Sequence, residues 1–141
     1  MQRKASAVWK GGLKDGEGTL STHSGVLHNT NYSFGTRFED APGTNPEELV
    51  GAAHAGCFAM ALSGILVEAG MKPEQLDVAA TVTIEKTDDG WTVTKSRLDL
   101  KGKIPGADES AFMEAAQKAE KGCPISRLLN AEITMTATLE R

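Results

Sequence analysis

The chain has 141 residues, of which 40% are hydrophobic and 24% are charged, and its formal net charge at pH 7 is −4. This length and composition predict a single domain over residues 1–141, with a core that needs no disulfide or metal to hold it together. The acidic balance, with lysines and arginines scattered along the chain, argues against a nucleic-acid-binding protein. No apolar leader is visible at the start, and polar residues interrupt the apolar stretch 49–69, so we expect a cytoplasmic protein without a membrane span.

The first forty residues favour extended structure. A strand is predicted at 5–9, and the glycine-rich stretch that follows it predicts a turn. Residues 19–27 continue as extended chain, and 28–40 predict a further strand or a loop.

A long helix is predicted from residue 46. Asn45 suits the N-cap, Pro46 the first helical position and Glu48 the capping-box position. Small and apolar residues then follow at helical spacing, and Gly70 is a suitable C-terminal stop.

From residue 77 the apolar period changes to two, which predicts a strand and, after a tight turn at 88–90, its hairpin partner. The apolar phase slips between Val93 and Leu98, which predicts a bulge. An amphipathic helix with Phe112, Ala116 and Ala119 inward, a short helix after Cys123, and an alternating last strand complete the chain. The predicted fold is therefore α+β, with an antiparallel sheet packed on helices.

The two cysteines, Cys57 and Cys123, raise the question of chemistry, since a permanent disulfide is not expected in a reducing compartment. Cys123 precedes Pro124 and so occupies a helix N-cap, where unpaired backbone N–H groups favour a thiolate. Cys57 lies in mid-helix, where the backbone donors are already used and a cysteine is usually inert filler.

Three other residues bear on Cys57. His54 is on the same helical face, although a core or surface histidine with its own hydrogen bond is the simpler interpretation. Arg37 is a permanent cation in the segment before the helix, and Glu47 in the first helical turn complements the helix dipole. Glu47 and Cys57 are about 15 Å apart along a straight helix, so Glu47 serves Arg37 or the thiol of a neighbouring subunit.

No metal or cofactor site is predicted. The cysteines and histidines show no zinc-ligand spacing, and no phosphate-binding, dinucleotide-binding or nucleophile-elbow motif occurs in the chain.

Three segments nevertheless resemble one known family. The stretches "VWKGGLKDGEGTLST", "TRFEDAPGTNPEELVGAAHAGCFAMALS" and "AEKGCPISRLLNAEIT" are similar to the OsmC/Ohr family, the osmotically inducible protein C and organic hydroperoxide resistance proteins. The likeness covers almost the whole chain, and the words "EELVGAAHAGCF" look more like the OsmC branch.

The resemblance implies an intertwined homodimer, with strands wrapped around two central helices. It also implies a thiol peroxidase in which Cys57 is the peroxidatic thiol and Cys123 the resolving one. Arg37 would stabilise the thiolate and orient the peroxide, and Glu47 would hold Arg37. The helix-terminus argument alone makes Cys123 the more activated thiol, whereas the family assigns the first attack to Cys57.

The function expected on this basis is reduction of organic hydroperoxides, and more weakly of hydrogen peroxide, in defence against oxidative and osmotic stress. An external dithiol, with a lipoylated protein as a candidate by family likeness, would reduce the disulfide. Phe34, Phe58 and Met60 are candidates for an apolar substrate slot. Two alternatives stay open at this point: a redox sensor or binding protein that uses the same cysteines without turnover, and a structural protein with two unreactive thiols.

Overall fold

The computed structural model describes all 141 residues, which divide into two compact units, Met1–Leu49 and Val50–Arg141. The first unit contains three strands and one short helix: β1 (Ala5–Lys10), β2 (Glu17–Thr22), β3 (Thr30–Tyr32) and α1 (Phe34–Phe38). The strands form an antiparallel sheet in chain order. The segment 28–40, predicted as strand or loop, is instead a short strand followed by a helix on which Arg37 lies.

The long helix α2 (Pro46–Glu68) begins in the first unit and continues in the second. Its predicted start is confirmed, because the Asn45 side chain accepts a hydrogen bond from the Glu48 backbone N–H at 2.8 Å. The predicted capping box is not formed in full. The Glu48 carboxylate accepts a hydrogen bond from Thr44 Oγ1 at 2.7 Å.

The second unit also contains a three-stranded sheet and two further helices: β4 (Gln75–Thr87), β5 (Gly90–Lys103), α3 (Glu109–Gly122), α4 (Pro124–Leu128) and β6 (Glu132–Glu140). The β4–β5 hairpin is antiparallel, and its register shifts so that no residue of β4 is paired with Thr94 across the ladder. This confirms the bulge predicted between Val93 and Leu98.

The α+β class is confirmed, but one strand pairing differs from the predicted antiparallel sheet. Strand β6 pairs in parallel with β5. Parallel neighbours need a long crossover connection, and α3 and α4 supply it between the two strands.

The core of the second unit lies where α2 and α3 cover one face of the sheet. The completely buried large side chains in it include Phe58 and Leu62 from α2, Leu98 from β5 and Phe112 from α3. Phe112, Ala116 and Ala119 point inward as predicted. The buried face of α2 also includes His54, a polar residue at a position where the helix otherwise buries apolar side chains.

Candidate active site

Arg37 and Glu47 form a bidentate ion pair in the first unit. Arg37 Nη2 donates to Glu47 Oε1 at 2.7 Å, and Arg37 Nε lies 3.1 and 3.2 Å from the two carboxylate oxygens. Glu47 is only 8% exposed. Because paired N–H donors match the plane of a carboxylate, this geometry fixes the guanidinium in orientation as well as in position.

Local capping brings the two charges together. Ser33 and Thr36 form a reciprocal capping box at the start of α1, with Thr36 N–H donating to Ser33 Oγ and Ser33 N–H donating to Thr36 Oγ1. Asn45 caps α2 with its side-chain oxygen, and its Nδ2 donates to the Thr36 carbonyl at 2.9 Å. One asparagine therefore ties the helix that carries Arg37 to the first turn of the helix that carries Glu47.

Aromatic side chains line the cleft in which the guanidinium lies. Arg37 Cζ lies 5.1 Å from the centroid of the Phe38 ring, within the range of a cation–π contact. Arg37 also lines a cleft of about 280 Å³ together with Trp9, Tyr32, Phe34 and other residues of the first unit. The cleft therefore combines one fixed cation with apolar walls.

Cys123 lies between two helices in the second unit. Its backbone N–H donates to the Ala119 carbonyl and ends α3, while its sulfur accepts a hydrogen bond from the Ser126 N–H at 3.3 Å and begins α4. The predicted N-cap position is thus confirmed. Cys123 is 1% exposed. Its backbone N–H and its sulfur each form a hydrogen bond with the backbone of an adjacent helix, which fixes the orientation of the thiol.

Cys57 and Cys123 are neighbours, and their side chains are close enough to interact with each other. Both thiols are free, and Cys57 is partly exposed whereas Cys123 is buried. Burial raises the pKa of the Cys57 thiol above its ordinary value; a hydrogen bond from the Ile125 backbone opposes this rise, and the Cys123 side chain adds to it. Within the second unit, therefore, Cys57 is a protonated thiol at neutral pH.

His54 is completely buried and has a hydroxyl partner on each ring nitrogen. Nδ1 lies 2.6 Å from Ser96 Oγ, and Nε2 lies 2.8 Å from Ser126 Oγ. The Ser126 hydroxyl in turn lies 3.1 Å from Cys123 Sγ. Burial lowers the pKa of His54, so the imidazole is neutral at pH 7.

The four predicted site residues thus form two neighbouring pairs, Arg37 with Glu47 in the first unit and Cys57 with Cys123 in the second. Of the residues suggested for a substrate slot, Phe34 lines the cleft beside Arg37. Phe58 is completely buried in the core and Met60 is 81% exposed, so neither lines this cleft.

Sequence reasoning missed Ser96 and Ser126. A signal for Ser96 exists in the chain, because it falls in phase with Leu98 and Leu100 on the buried face of β5. Ser126 follows Cys123 by three residues, the spacing at which an N-cap side chain meets a backbone N–H. Neither pattern indicates that the two hydroxyls meet on one histidine.

Comparison with known proteins gives consistent results. The family model described as OsmC-like protein matches residues 38–138. The Escherichia coli protein named Peroxiredoxin OsmC is 50% identical over 140 residues, which cover 99% of this chain and 98% of that protein. An organic hydroperoxide resistance protein of Xanthomonas axonopodis pv. citri is 30% identical over 98 residues, 69% of this chain and 67% of its own.

The fold agrees with these sequence matches. A solved OsmC-like protein of Vibrio cholerae superimposes with a TM-score of 0.78 at 17% identity, covering 98% of this chain and 99% of that one. The full-length match to a named peroxiredoxin identifies the activity class as well as the fold. The chain belongs to the OsmC-like protein family, and it is a cysteine-based peroxidase with a role in hydroperoxide resistance.

Proposed function

We propose that the protein reduces organic hydroperoxides to alcohols through a cycle that uses both Cys57 and Cys123. The observation that carries this proposal is the proximity of the two side chains, which are 66 residues apart in the chain. A sulfur that must condense with a neighbouring sulfenic acid has to be close to it before the reaction, and no large rearrangement is needed to join these two.

The first step is attack of the Cys57 thiolate on the outer oxygen of the peroxide. The O–O bond breaks, the alkoxide takes a proton and leaves as an alcohol, and Cys57 becomes a sulfenic acid. In the second step Cys123 attacks the Cys57 sulfur, hydroxide leaves and is protonated to water, and a disulfide forms. An external dithiol then reduces the disulfide and restores both thiols.

Arg37 is proposed to stabilise the Cys57 thiolate and the developing charge on the peroxide oxygens. Burial raises the pKa of Cys57, so the thiolate needs a cation to form at neutral pH. Arg37 is a suitable one because Glu47 holds it rigidly and because a preorganised charge stabilises a transition state without reorganisation.

The aromatic residues that line the cleft beside Arg37 support the proposed substrate class. Aromatic rings of Trp9, Tyr32 and Phe34 line the cleft together with the cation, which favours a hydroperoxide with an apolar group over hydrogen peroxide. The Xanthomonas relative is named for resistance to organic hydroperoxides, which agrees with this preference. We expect hydrogen peroxide to be a weaker substrate and a dithiol, such as that of a lipoylated protein, to be the reductant.

The working form is proposed to be a homodimer in the cytoplasm. Helix α2 has the length and composition of a membrane-crossing helix, and core helices of soluble proteins share these properties. One of its faces is uncovered in the single chain and consists of small or apolar residues, among them Gly56, Met60, Gly64 and Val67. Small residues let two helices approach closely, so we propose that a second copy covers this face.

Single-site variants test the cycle in a steady-state assay with cumene hydroperoxide and dithiothreitol. Cys57→Ser should consume no peroxide above background. Cys123→Ser should consume one equivalent rapidly and then turn over slowly, with a sulfenic acid on Cys57 that dimedone traps. Wild-type rate in Cys57→Ser would refute the mechanism, and a wild type that consumes only one equivalent with dithiol present would indicate a sensor.

A further inference from the structure

The side chains of four buried or partly buried residues form a continuous hydrogen-bonded chain that ends at the reacting sulfurs. It runs from Ser96 through His54 and Ser126 to Cys123, with separations of 2.6, 2.8 and 3.1 Å, and Cys123 is a neighbour of Cys57. Ser96, His54 and Cys123 are each no more than 1% exposed and Ser126 is 7% exposed, so bulk water does not readily reach the proton of the Cys123 thiol.

A neutral His54 can carry its ring proton on either nitrogen, and one of the two tautomers suits proton transfer away from Cys123. With the ring proton on Nδ1, His54 donates to Ser96 Oγ, and Nε2 is free to accept the Ser126 hydroxyl proton. Ser126 Oγ then accepts the proton of the Cys123 thiol. Every contact in the chain is satisfied by this tautomer, and a basic nitrogen stands two contacts from the sulfur.

We propose that Ser126 and His54 form a proton relay that takes the proton of Cys123 when this thiol resolves the sulfenic acid on Cys57. The inference rests on the two-cysteine cycle proposed above and adds a specific role for two residues in its second step. Ser126 touches the reacting sulfur, and His54 acts through Ser126 as the proton acceptor at the end of the relay.

The step balances as follows. The Cys123 S–H proton passes to Ser126 Oγ as the Ser126 hydroxyl proton passes to His54 Nε2, and the resulting thiolate attacks the Cys57 sulfur. The S–S bond forms as the S–O bond of the sulfenic acid breaks, and the leaving hydroxide is protonated to water. Solvent at the partly exposed Cys57 supplies the proton for the hydroxide, and the imidazolium later releases its extra proton to solvent, so thiol and sulfenic acid give disulfide and water with no net gain or loss of protons.

The same contacts also stabilise the Cys123 thiolate. Once the proton has moved, the Ser126 hydroxyl donates to Cys123 Sγ, and the Ser126 backbone N–H, at 3.3 Å, donates to the same sulfur. Two donors on one buried sulfur stabilise its negative charge where solvent does not. A relay of this kind accelerates disulfide formation by Cys123 and does not affect the attack of Cys57 on the peroxide.

Single-turnover kinetics separate the two steps. Reduced protein is mixed with one equivalent of cumene hydroperoxide, peroxide loss reports attack by Cys57, and acid quench with mass spectrometry reports disulfide formation. In Ser126→Ala and His54→Gln, disulfide formation should slow by about 100-fold, the usual contribution of a general base, with a much smaller effect on peroxide attack. Dimedone should then trap sulfenic acid that the wild type never accumulates.

Ser96→Ala is the matched control, because it removes a similarly buried hydroxyl from the other nitrogen of the same ring. Disulfide formation should slow much less than in Ser126→Ala. The relay is wrong if disulfide formation in Ser126→Ala stays within about twofold of the wild-type rate. Equal losses in Ser96→Ala and Ser126→Ala, or equal losses in both steps, would likewise overturn it in favour of a purely structural role. Should His54→Gln not fold, Ser126→Ala decides the question alone.

Failure of the underlying cycle has a different signature. A wild-type protein that forms no Cys57–Cys123 disulfide overturns both the cycle and the relay, whereas normal disulfide formation in wild type and variants overturns the relay only.

Discussion

Glu47 and His54 are buried ionisable side chains, and each has its polar atoms satisfied in a different way. The Arg37 guanidinium pairs with both carboxylate oxygens of Glu47. His54 stays neutral because burial lowers its pKa and two serine hydroxyls satisfy its ring nitrogens. A buried group needs one solution or the other, since an unpaired charge or an unsatisfied polar atom is costly. The ion pair fixes the position of the Arg37 charge, and the hydrogen bonds of His54 keep a neutral base in the core.

The lowered pKa of His54 predicts a specific loss of stability in acid. The unfolded chain binds a proton at the ordinary value of 6.5, whereas the folded chain resists it until a lower pH, so the unfolding free energy falls as the pH drops below about 6.5. The contribution is at most about 1.4 kcal/mol per pH unit. Urea unfolding of wild type and His54→Gln between pH 5 and 8 measures it, and parallel curves for the two proteins would contradict the expectation.

The Arg37–Glu47 pair predicts coupled effects on the chemistry of Cys57. Arg37→Gln should slow peroxide attack by about 100-fold and move the pH dependence of Cys57 alkylation to higher pH, because it removes the cation that we propose favours the thiolate. Glu47→Gln should have a smaller effect of the same kind.

The double variant separates the two roles. Since Glu47 acts through Arg37, combining both substitutions should be no worse than Arg37→Gln alone. Iodoacetamide rates in a Cys123→Ser background measure the pH dependence. Additive losses, or an unchanged alkylation profile in Arg37→Gln, would show that the pair does not act on this thiol.

At the scale of secondary structure, the two thiols are positioned by the places where helices begin and end. Cys123 ends α3 with its backbone N–H and begins α4 with its sulfur, and Pro124 at the first position of α4 makes the turn between them rigid. Cys57 faces this junction from α2, one helical turn beyond His54. The proximity of the thiols therefore depends on how α2 and α3 pack on the sheet.

That packing is tight at one glycine of β5. A Cβ atom at Gly102 would lie 3.0 and 3.2 Å from ring atoms of Phe112, which is completely buried on α3. Gly102→Ala should therefore lower the unfolding free energy by about 1–3 kcal/mol through overpacking. Urea denaturation measures the change.

Gly122→Ala is the matched control for Gly102→Ala, because nothing lies within 4 Å of a Cβ atom at this position of α3. It should leave the protein equally stable or slightly more stable, since alanine favours a helix over glycine. Equal destabilisation by both substitutions would show that the Phe112 contact is not the cause.

At the scale of the whole molecule, several large apolar side chains are exposed in the single chain. Every residue of β1 is exposed, and on α2 Met60 is 81% and Val67 56% exposed. The uncovered face of α2 carries no charge between Ala52 and Val67. A contiguous surface of this kind marks an interface, and the proposed homodimer buries it.

The dimer predicts a strong effect of a charge at the centre of this face. Met60→Asp places a carboxylate where the two α2 helices are proposed to meet, so it should convert the dimer to a monomer because an unpaired buried charge is costly. Size-exclusion chromatography with light scattering measures the mass directly. Gln117→Asp on the exposed side of α3 introduces the same charge and should remain dimeric. A monomeric wild type, or a dimeric Met60→Asp, would contradict this interface.

Much of the architecture was predictable from local patterns. The N-cap at Asn45, the second N-cap at Cys123, the bulge beside Val93 and the inward face of α3 all follow from side-chain preferences that act over a few residues. The parallel pairing of β6 with β5 was not predictable in this way, because strand direction depends on where a crossover lands on the sheet. The helix that carries Arg37 was also missed, since its capping box is built from Ser33 and Thr36 in a segment without apolar periodicity.

The sequence by itself determined the family, the two cysteines and the presence of a fixed cation near a helix start, because these depend on residue identity and spacing. Only the tertiary structure decided that Cys57 meets Cys123 and that His54 is joined to Cys123 through Ser126. The physical reason is distance along the chain: Ser126 lies 72 residues from His54, and Ser96 lies 42 residues from it on another element. Contacts of that span form only when a sheet and two helices pack around one core, and no local pattern records them.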